Sequence, residues 1–171
     1  MSQTHAQSES LEKIWSLIKD IRFAMLTTAD ADGALYSRPM ATSQKDFNGE
    51  LYFLSGRHSG KVEEIREHAQ VNLTYVDTHK STFVSLSGTA SSSRDQARID
   101  ELWHPSFSAW FPGGETDPEI TVLTVRVEEA EYWDAPASSL VRNFRILKRA
   151  VSGGQGKVGD HERLSVTPRA S

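Results

Sequence analysis

Cysteine is absent from the 171-residue chain. Disulfide scaffolds, thiolate zinc sites, iron–sulfur clusters and cysteine nucleophiles are excluded together, because each needs sulfur as a ligand or attacking atom. An excess of positive charge is also missing: 19 Lys+Arg stand against 23 Asp+Glu, a formal charge of −4. That balance argues against a nucleic-acid coat or a polybasic membrane binder, both of which need a positive field. No stretch approaches the roughly 18 consecutive apolar residues that span a bilayer. The opening MSQTHAQSES carries no apolar run behind a basic start, so it does not read as a secretory signal. The expectation is a soluble cytoplasmic protein that binds neither membrane nor nucleic acid. With 37% hydrophobic and 25% charged residues, the length fits one ordinary globular domain.

Apolar periodicity then sketches the elements. Leu11, Ile14, Ile18 and Ile21 fall three or four apart, the spacing of one helix face, with Ser8 or Ser10 as its cap and residues 1–10 flexible before it. Phe23 to Thr28 and Leu35 to Thr42 are β-prone runs joined by Asp30-Ala31-Asp32-Gly33, a hairpin turn. Leu51 to Leu54 forms a third run after Asn48-Gly49. Val62, Ile65 and Ala69 keep helical spacing, and Val71 to Val76 and Thr82 to Ala90 alternate as half-buried strands do. A helix at Arg94 to Trp103 leads into an aromatic loop (Trp103, His104, Pro105, Phe107, Trp110, Phe111, Pro112), and Thr121 to Val127 is the sixth strand. Six short strands with three short helices suit a mainly β, antiparallel closed or split barrel better than a doubly wound parallel sheet, which wants a helix after each strand. Past Pro136, Leu140, Val141, Phe144, Leu147 and Val151 predict a basic C-terminal helix over 137–152. The segment 153–171, with four glycines and few apolar residues, is expected to be disordered.

Chemistry is signalled most clearly between Gly56 and Lys61. A Walker A motif fails there, with three rather than four residues between the glycines and Val62 after Lys61. What survives is a strand, a Gly-rich turn with hydroxyls, a lysine and a helix N-terminus, which together suit phosphate. By spacing alone a solvated turn capped by Ser59 is the better fit. Asp30 to Gly33 lacks the spacing and closing Glu of a calcium loop. The six histidines show no pair spaced for one metal, so no metal is expected. Ser59 sits one position late for a nucleophile elbow. The aromatic loop can stack on a flat ligand, close a barrel end or bury a dimer contact.

Taken in order, Leu26-Thr27-Thr28, Ser37-Arg38-Pro39-Met40, Leu51-Tyr52-Phe53-Leu54-Ser55 with Ser59-Gly60-Lys61, Val71-Asn72-Leu73 and Ser87-Gly88-Thr89-Ala90 resemble the pyridoxamine phosphate oxidase-like flavoproteins. The run from Trp103 to Pro112 and Ala130-Glu131-Tyr132-Trp133 resemble their bacterial general stress protein 26 branch. The match spans residues 11–136. It implies an FMN-binding split β-barrel working as a homodimer, with a flavin at each end of the subunit interface. Carried over residue by residue, Arg38 and Met40 would face the flavin, with Phe53, Leu54 and Ser55 lining it. Ser59, Gly60 and Lys61 would form the loop that holds its phosphate. Separately, Trp103, Phe107, Trp110 and Phe111 put too much apolar area in one loop to leave in water, and Trp110 is expected nearest the ring. The resemblance favours the phosphate reading of that loop over the solvated turn.

The departures narrow the function. The vitamin-forming oxidases carry Ser-Arg-Lys where this chain has Ser59-Gly60-Lys61, and both their second-strand Lys and their C-terminal Arg-His signature are missing. Oxidation of pyridoxamine phosphate is not expected. The expectation is a flavin-binding stress protein holding FMN, with FAD permitted by the less demanding phosphate loop, and at most a flavin-dependent oxidoreductase with an unnamed redox partner. The alternatives are a non-catalytic dimeric interaction module and a binder of another flat anionic cofactor such as a deazaflavin.

Overall fold

The computed structural model describes residues 2–134 and 160–166, with the side chains of 2–7 and of Asp160 outside the description. Its elements are α1 (Ser2–Ile18), β1 (Phe23–Ala29), β2 (Leu35–Ala41), β3 (Glu50–Gly56), α2 (Gly60–Glu67), β4 (Gln70–Asp77), β5 (Thr82–Ser93), α3 (Gln96–Leu102), β6 (Ile120–Asp134) and β7 (Asp160–Ser165). The strands form one antiparallel sheet in the order β2-β1-β4-β5-β6-β3, with β7 also paired to β6. The split barrel expected from the sequence is therefore present, with seven strands rather than six.

The turn between β1 and β2 is held by its own first residue. The Asp30 carboxylate accepts the amides of Asp32 at 3.0 Å and Ala34 at 2.9 Å, and Gly33 takes the positive φ of 84° that a β-carbon would strain. Alternation sets the inner face: Ala24 and Leu26 on β1, Leu73 and Tyr75 on β4, and Val84 and Leu86 on β5 are buried in one core. Burial pushes the Tyr75 phenol up to about 12, so it stays a neutral hydrogen-bonding group. It meets the Thr42 hydroxyl at 3.2 Å. A second, smaller core gathers Tyr52, Ile99, Leu102, Phe111, Ile120 and Val122 beneath α3.

β6 is the longest strand and is paired along both edges. One edge carries β5; the other carries β3 as far as Arg126 and β7 from Glu129 onward. Where the partner changes, the β5 register skips Glu128, so β6 bulges there. Gly88 faces the bulge: a Cβ on it would lie 1.9 Å from the Arg126 carbonyl oxygen.

Three expectations are corrected. The first helix starts at Ser2 rather than Leu11 and ends at Ile18, since residues 2–10 hold no glycine or proline to stop it and neither Ser8 nor Ser10 interrupts the turn. Helix α1 buries Ile14 and Ile18 against the sheet. The segment 153–171 was expected to be disordered throughout, yet Asp160–Ser165 forms β7. The reason is long-range: the last six residues of β6, Glu129 to Asp134, have an edge that β3 does not reach, and β7 takes it. Val166 then enters the main core with 2% of its surface exposed, and Leu164 packs against that core. Tyr132 donates to Glu162 at 2.9 Å, His161 stacks on Trp133 at 5.0 Å, and Arg163 pairs with Glu129. The third correction is the strand count, which follows from the second. The expected C-terminal helix over 137–152 lies outside the described residues.

Two stability tests follow from β6. A chain ending at residue 159 loses Val166, a buried side chain worth about 1.5–3 kcal/mol, so its melting temperature should fall by roughly 3–12 °C; an unchanged value would detach β7 from the core. Gly88→Ala forces the backbone at Arg126 to move, with an expected cost of about 2 kcal/mol or more. Urea unfolding should show a lower midpoint with an unchanged slope.

Candidate functional site

The strand path ends at β2 and β3, and these two ends approach each other without pairing. Part of the open edge of β3 is satisfied instead by one side chain. Gln44 donates to the carbonyls of Asp46 at 2.7 Å and Glu50 at 3.0 Å, and accepts the Tyr52 amide at 2.9 Å. A buried amide thus does what a neighbouring strand would do.

The gap opens into a cavity of about 720 Å³, within the usual range for a drug-sized ligand or cofactor. Three stretches of chain wall it. From β2 and its continuation come Pro39 to Ser43, joined by Arg22 and Phe23; from β3 and the start of α2 come Leu54, Ser55, Gly56 and Lys61; from the aromatic loop come His104, Ser106, Phe107, Trp110 and Phe111. Among the described residues two cations, Arg22 and Lys61, lie on the wall, and no carboxylate does. An anionic ligand with a broad apolar body suits such a lining.

The turn before α2 is organised for an anion. The Ser55 and Ser59 hydroxyls meet at 3.1 Å, and Ser59, although the N-cap residue, makes no side-chain capping bond. The capped turn offered by spacing alone is therefore not what forms. The amides of Gly60 and Lys61 open the helix, where no preceding carbonyl is in helical register to receive them. Arg57 and His58 turn instead toward Glu119, at 3.7 and 3.9 Å, leaving Lys61 as the loop's cation on the cavity wall. Burial holds the Lys61 ammonium below the ordinary lysine range, the Arg38 charge adds to that, and Glu64 opposes it. Among the described residues Lys61 has no ion-pair partner, and a partly desolvated charge of that kind marks a candidate ligand contact.

The residues singled out in the sequence separate into two groups. Met40, Leu54, Ser55, Lys61 and Trp110 line the cavity, with Ser59 and Gly60 directly behind Ser55 and Lys61. Phe53 is 1% exposed and packs in the main core. Arg38 shares a face of β2 with Met40, but its guanidinium pairs with Glu64 at 2.9 Å and donates to Thr28. Trp110 is 71% exposed in the single chain, while Phe111 buries into the smaller core. Arg22, Thr42 and Ser43 were not anticipated, because they come to the cavity through the β1–β2 pairing rather than through any local motif. His104 is fixed by its own turn: the Ser106 amide donates to its Nδ1 at 3.2 Å, so the neutral ring carries its proton on Nε2.

Residues 9–157 match the model of a family described as pyridoxamine 5'-phosphate oxidase like. The chain belongs to this family. A curated relative, protein bli-3 of Neurospora crassa, is 28% identical over 167 residues, covering 92% of this chain and 80% of that protein. Among solved structures, the general stress FMN/FAD binding protein of Xanthomonas citri is 29% identical with a TM-score of 0.64, covering 77% of this chain and 92% of its own. The general stress protein 26 of Bacillus anthracis shares the fold at 23% identity and a TM-score of 0.65, over 72% of this chain and 93% of its own.

The depressed Lys61 gives the site a pH signature. Its charge is lost at lower pH than that of a surface lysine, so affinity for a phosphate-bearing ligand should fall as pH rises through that lowered value, with proton uptake on binding. Lys61→Arg keeps the charge and should flatten the fall, whereas Lys61→Ala should cost roughly ten- to a hundredfold at neutral pH, the worth of one charge-assisted hydrogen bond. Calorimetric titration across pH checks both, and identical profiles for wild type and Lys61→Arg would remove Lys61 from the site.

Proposed function

We propose that this chain binds a flavin nucleotide, FMN or FAD, in the cavity between β2 and β3, as a cytoplasmic homodimer of the general stress protein type. The observation that carries the reading is the wall itself. A cavity of about 720 Å³ with aromatic and aliphatic sides has two cations and no carboxylate on its lining, and it meets a helix N-terminus with an unpartnered lysine. A flat aromatic ring system ending in phosphate has this shape and charge. Lys61, the Gly60 and Lys61 amides and the Ser55–Ser59 hydroxyl pair would hold the phosphate. Met40, Leu54 and Phe107 would flank the ring, and Arg22, with the Nε2 proton of His104, would offer donors to its polar edge. Bound there, the flavin supplies hydride or electron transfer, and the protein supplies position and electrostatics. Family membership and the FMN/FAD-binding relative at 29% identity support the same reading.

The dimer is supported by apolar surface that a single chain leaves open. On the outer face of the sheet Val76, Phe83 and Trp133 lie side by side across three paired strands, and Phe23 and Met25 are exposed on β1. Contiguous patches of this kind mark interfaces. Trp110 stands exposed beside the cavity and would close over the flavin edge in the assembled protein.

The decisive measurement is visible absorbance of the purified protein before and after adding FMN, FAD or riboflavin; no spectral change and no binding with any of the three would remove the flavin reading. Ring stacking close to a flavin quenches its emission, so bound FMN should be dim in the wild type and brighter in Trp110→Ala, with the mutant still dimeric by light scattering. Equal brightness and affinity would reduce Trp110 to a structural residue, and a monomeric mutant would make it chiefly an oligomer contact.

A further inference from the structure

Glu64 is the acidic residue set against the phosphate end of the cavity. It follows Lys61 by three residues and Gly60 by four, so all three share one face of α2. Its side chain folds back to the start of the helix: Oε1 lies 3.6 Å from the place a Cβ would take on Gly60. Oε2 receives Nη2 of Arg38 at 2.9 Å and also the Thr28 hydroxyl, whose oxygen accepts Nη1 of Arg38. The network is largely buried, with side-chain exposures of 24% for Arg38 and 17% for Glu64, and Thr28 is fully enclosed.

We infer that Glu64 is an internal counter-ion that sets the charge preference of the phosphate end, neutralising Arg38 and leaving the positive charge of Lys61 to meet the phosphate. The inference rests on the flavin-nucleotide reading above and deepens it. Near neutral pH a terminal phosphate such as that of FMN carries about −1.5 to −2, whereas each phosphorus of the FAD pyrophosphate carries one negative charge. The whole pyrophosphate carries two charges, but only one of its phosphorus atoms can take the place of the FMN monoester beside Lys61, so the charge to be met there is smaller for FAD. Glu64 therefore disfavours FMN relative to FAD, and removing its charge should free Arg38 and tighten the monoester most.

The test titrates FMN, FAD, riboflavin and inorganic phosphate into wild type, Glu64→Gln and Glu64→Asp, the last keeping the charge. In Glu64→Gln, FMN and inorganic phosphate should bind roughly five- to tenfold tighter, a gain that shrinks with added salt. FAD should gain less, riboflavin should not change, and Glu64→Asp should stay close to wild type. Weaker or unchanged FMN binding in Glu64→Gln would overturn the inference and make Glu64 a support for Arg38; so would an equal gain for riboflavin, which a merely structural effect would give. If wild type binds none of the three flavins, the flavin reading fails, and inorganic phosphate decides alone: tighter binding by Glu64→Gln upholds the counter-ion and equal binding ends it. Should Glu64→Gln not fold, Thr28→Val, which removes the hydroxyl holding the carboxylate in place, should shift FMN in the same direction, and no shift would count against the inference.

Discussion

Strand β6 must find partners along both edges, and most of the architecture follows from that requirement. A strand of 15 residues in the middle of a sheet cannot leave its amides and carbonyls unpaired without a desolvation cost at every second residue. On one side β5 pairs with nearly its whole length. On the other, the seven residues of β3 reach only as far as Arg126, and the bulge at Glu128 separates that stretch from the part taken by β7. The Val127 amide donates to the Gly49 carbonyl at 2.9 Å, and the Val166 amide to the Glu128 carbonyl at 2.8 Å, so the hand-over leaves neither group open. Leu11 and Val166 each come within 3.8 Å of the Cβ position above Gly49, which ties the first helix and the last strand to the same point.

The other end of β3 has the opposite constraint. Its free edge faces β2, and a ladder there would close the barrel and fill the cavity. Gln44 satisfies part of this edge with a single side chain and leaves room beside it. The cavity is thus a product of sheet topology, and its chemical character is set by what the split exposes: a strand end bearing Ser55, a helix start bearing Lys61, and an aromatic loop carried on α3. The aromatic loop is anchored rather than loose. Its Phe111 is buried and Arg94 donates to the carbonyls of Asp117 at 2.7 Å and Ile120 at 3.1 Å on the far side of the loop.

Two cations near α2 meet different fates. Lys61 is desolvated and unpartnered on the cavity wall, while Arg38, one strand away, is committed to Glu64 and Thr28. A charge that burial has partly stripped of water, and that Glu64 offsets without forming an ion pair, is held at a cost that an anion on the cavity wall would relieve. A guanidinium already bonded to a carboxylate has much less to gain. Gly60, between Ser59 and Lys61, adds no second cation to the turn.

The sequence by itself determined strands β1 to β6, the hairpin turn at Asp30 to Gly33, the family and the strand–turn–helix order from Ser55 to Lys61, because these depend on local periodicity, on turn residues and on short motifs whose order survives along the chain. It could not show that Phe53 belongs to the core and Arg38 to an ion pair, since both sit on strands whose neighbours come from distant segments. Nor could it show β7: six residues with one large aliphatic side chain carry no strand signal of their own, and they become a strand only because β6 has an unfilled edge beside them. Glu64 reads in sequence as one of many solvated helix charges; the close approach of β1, β2 and α2 makes it the partner of Arg38. Local patterns specify elements, and tertiary packing decides which side chains are left facing water, core or ligand, because that depends on contacts between residues far apart in the chain.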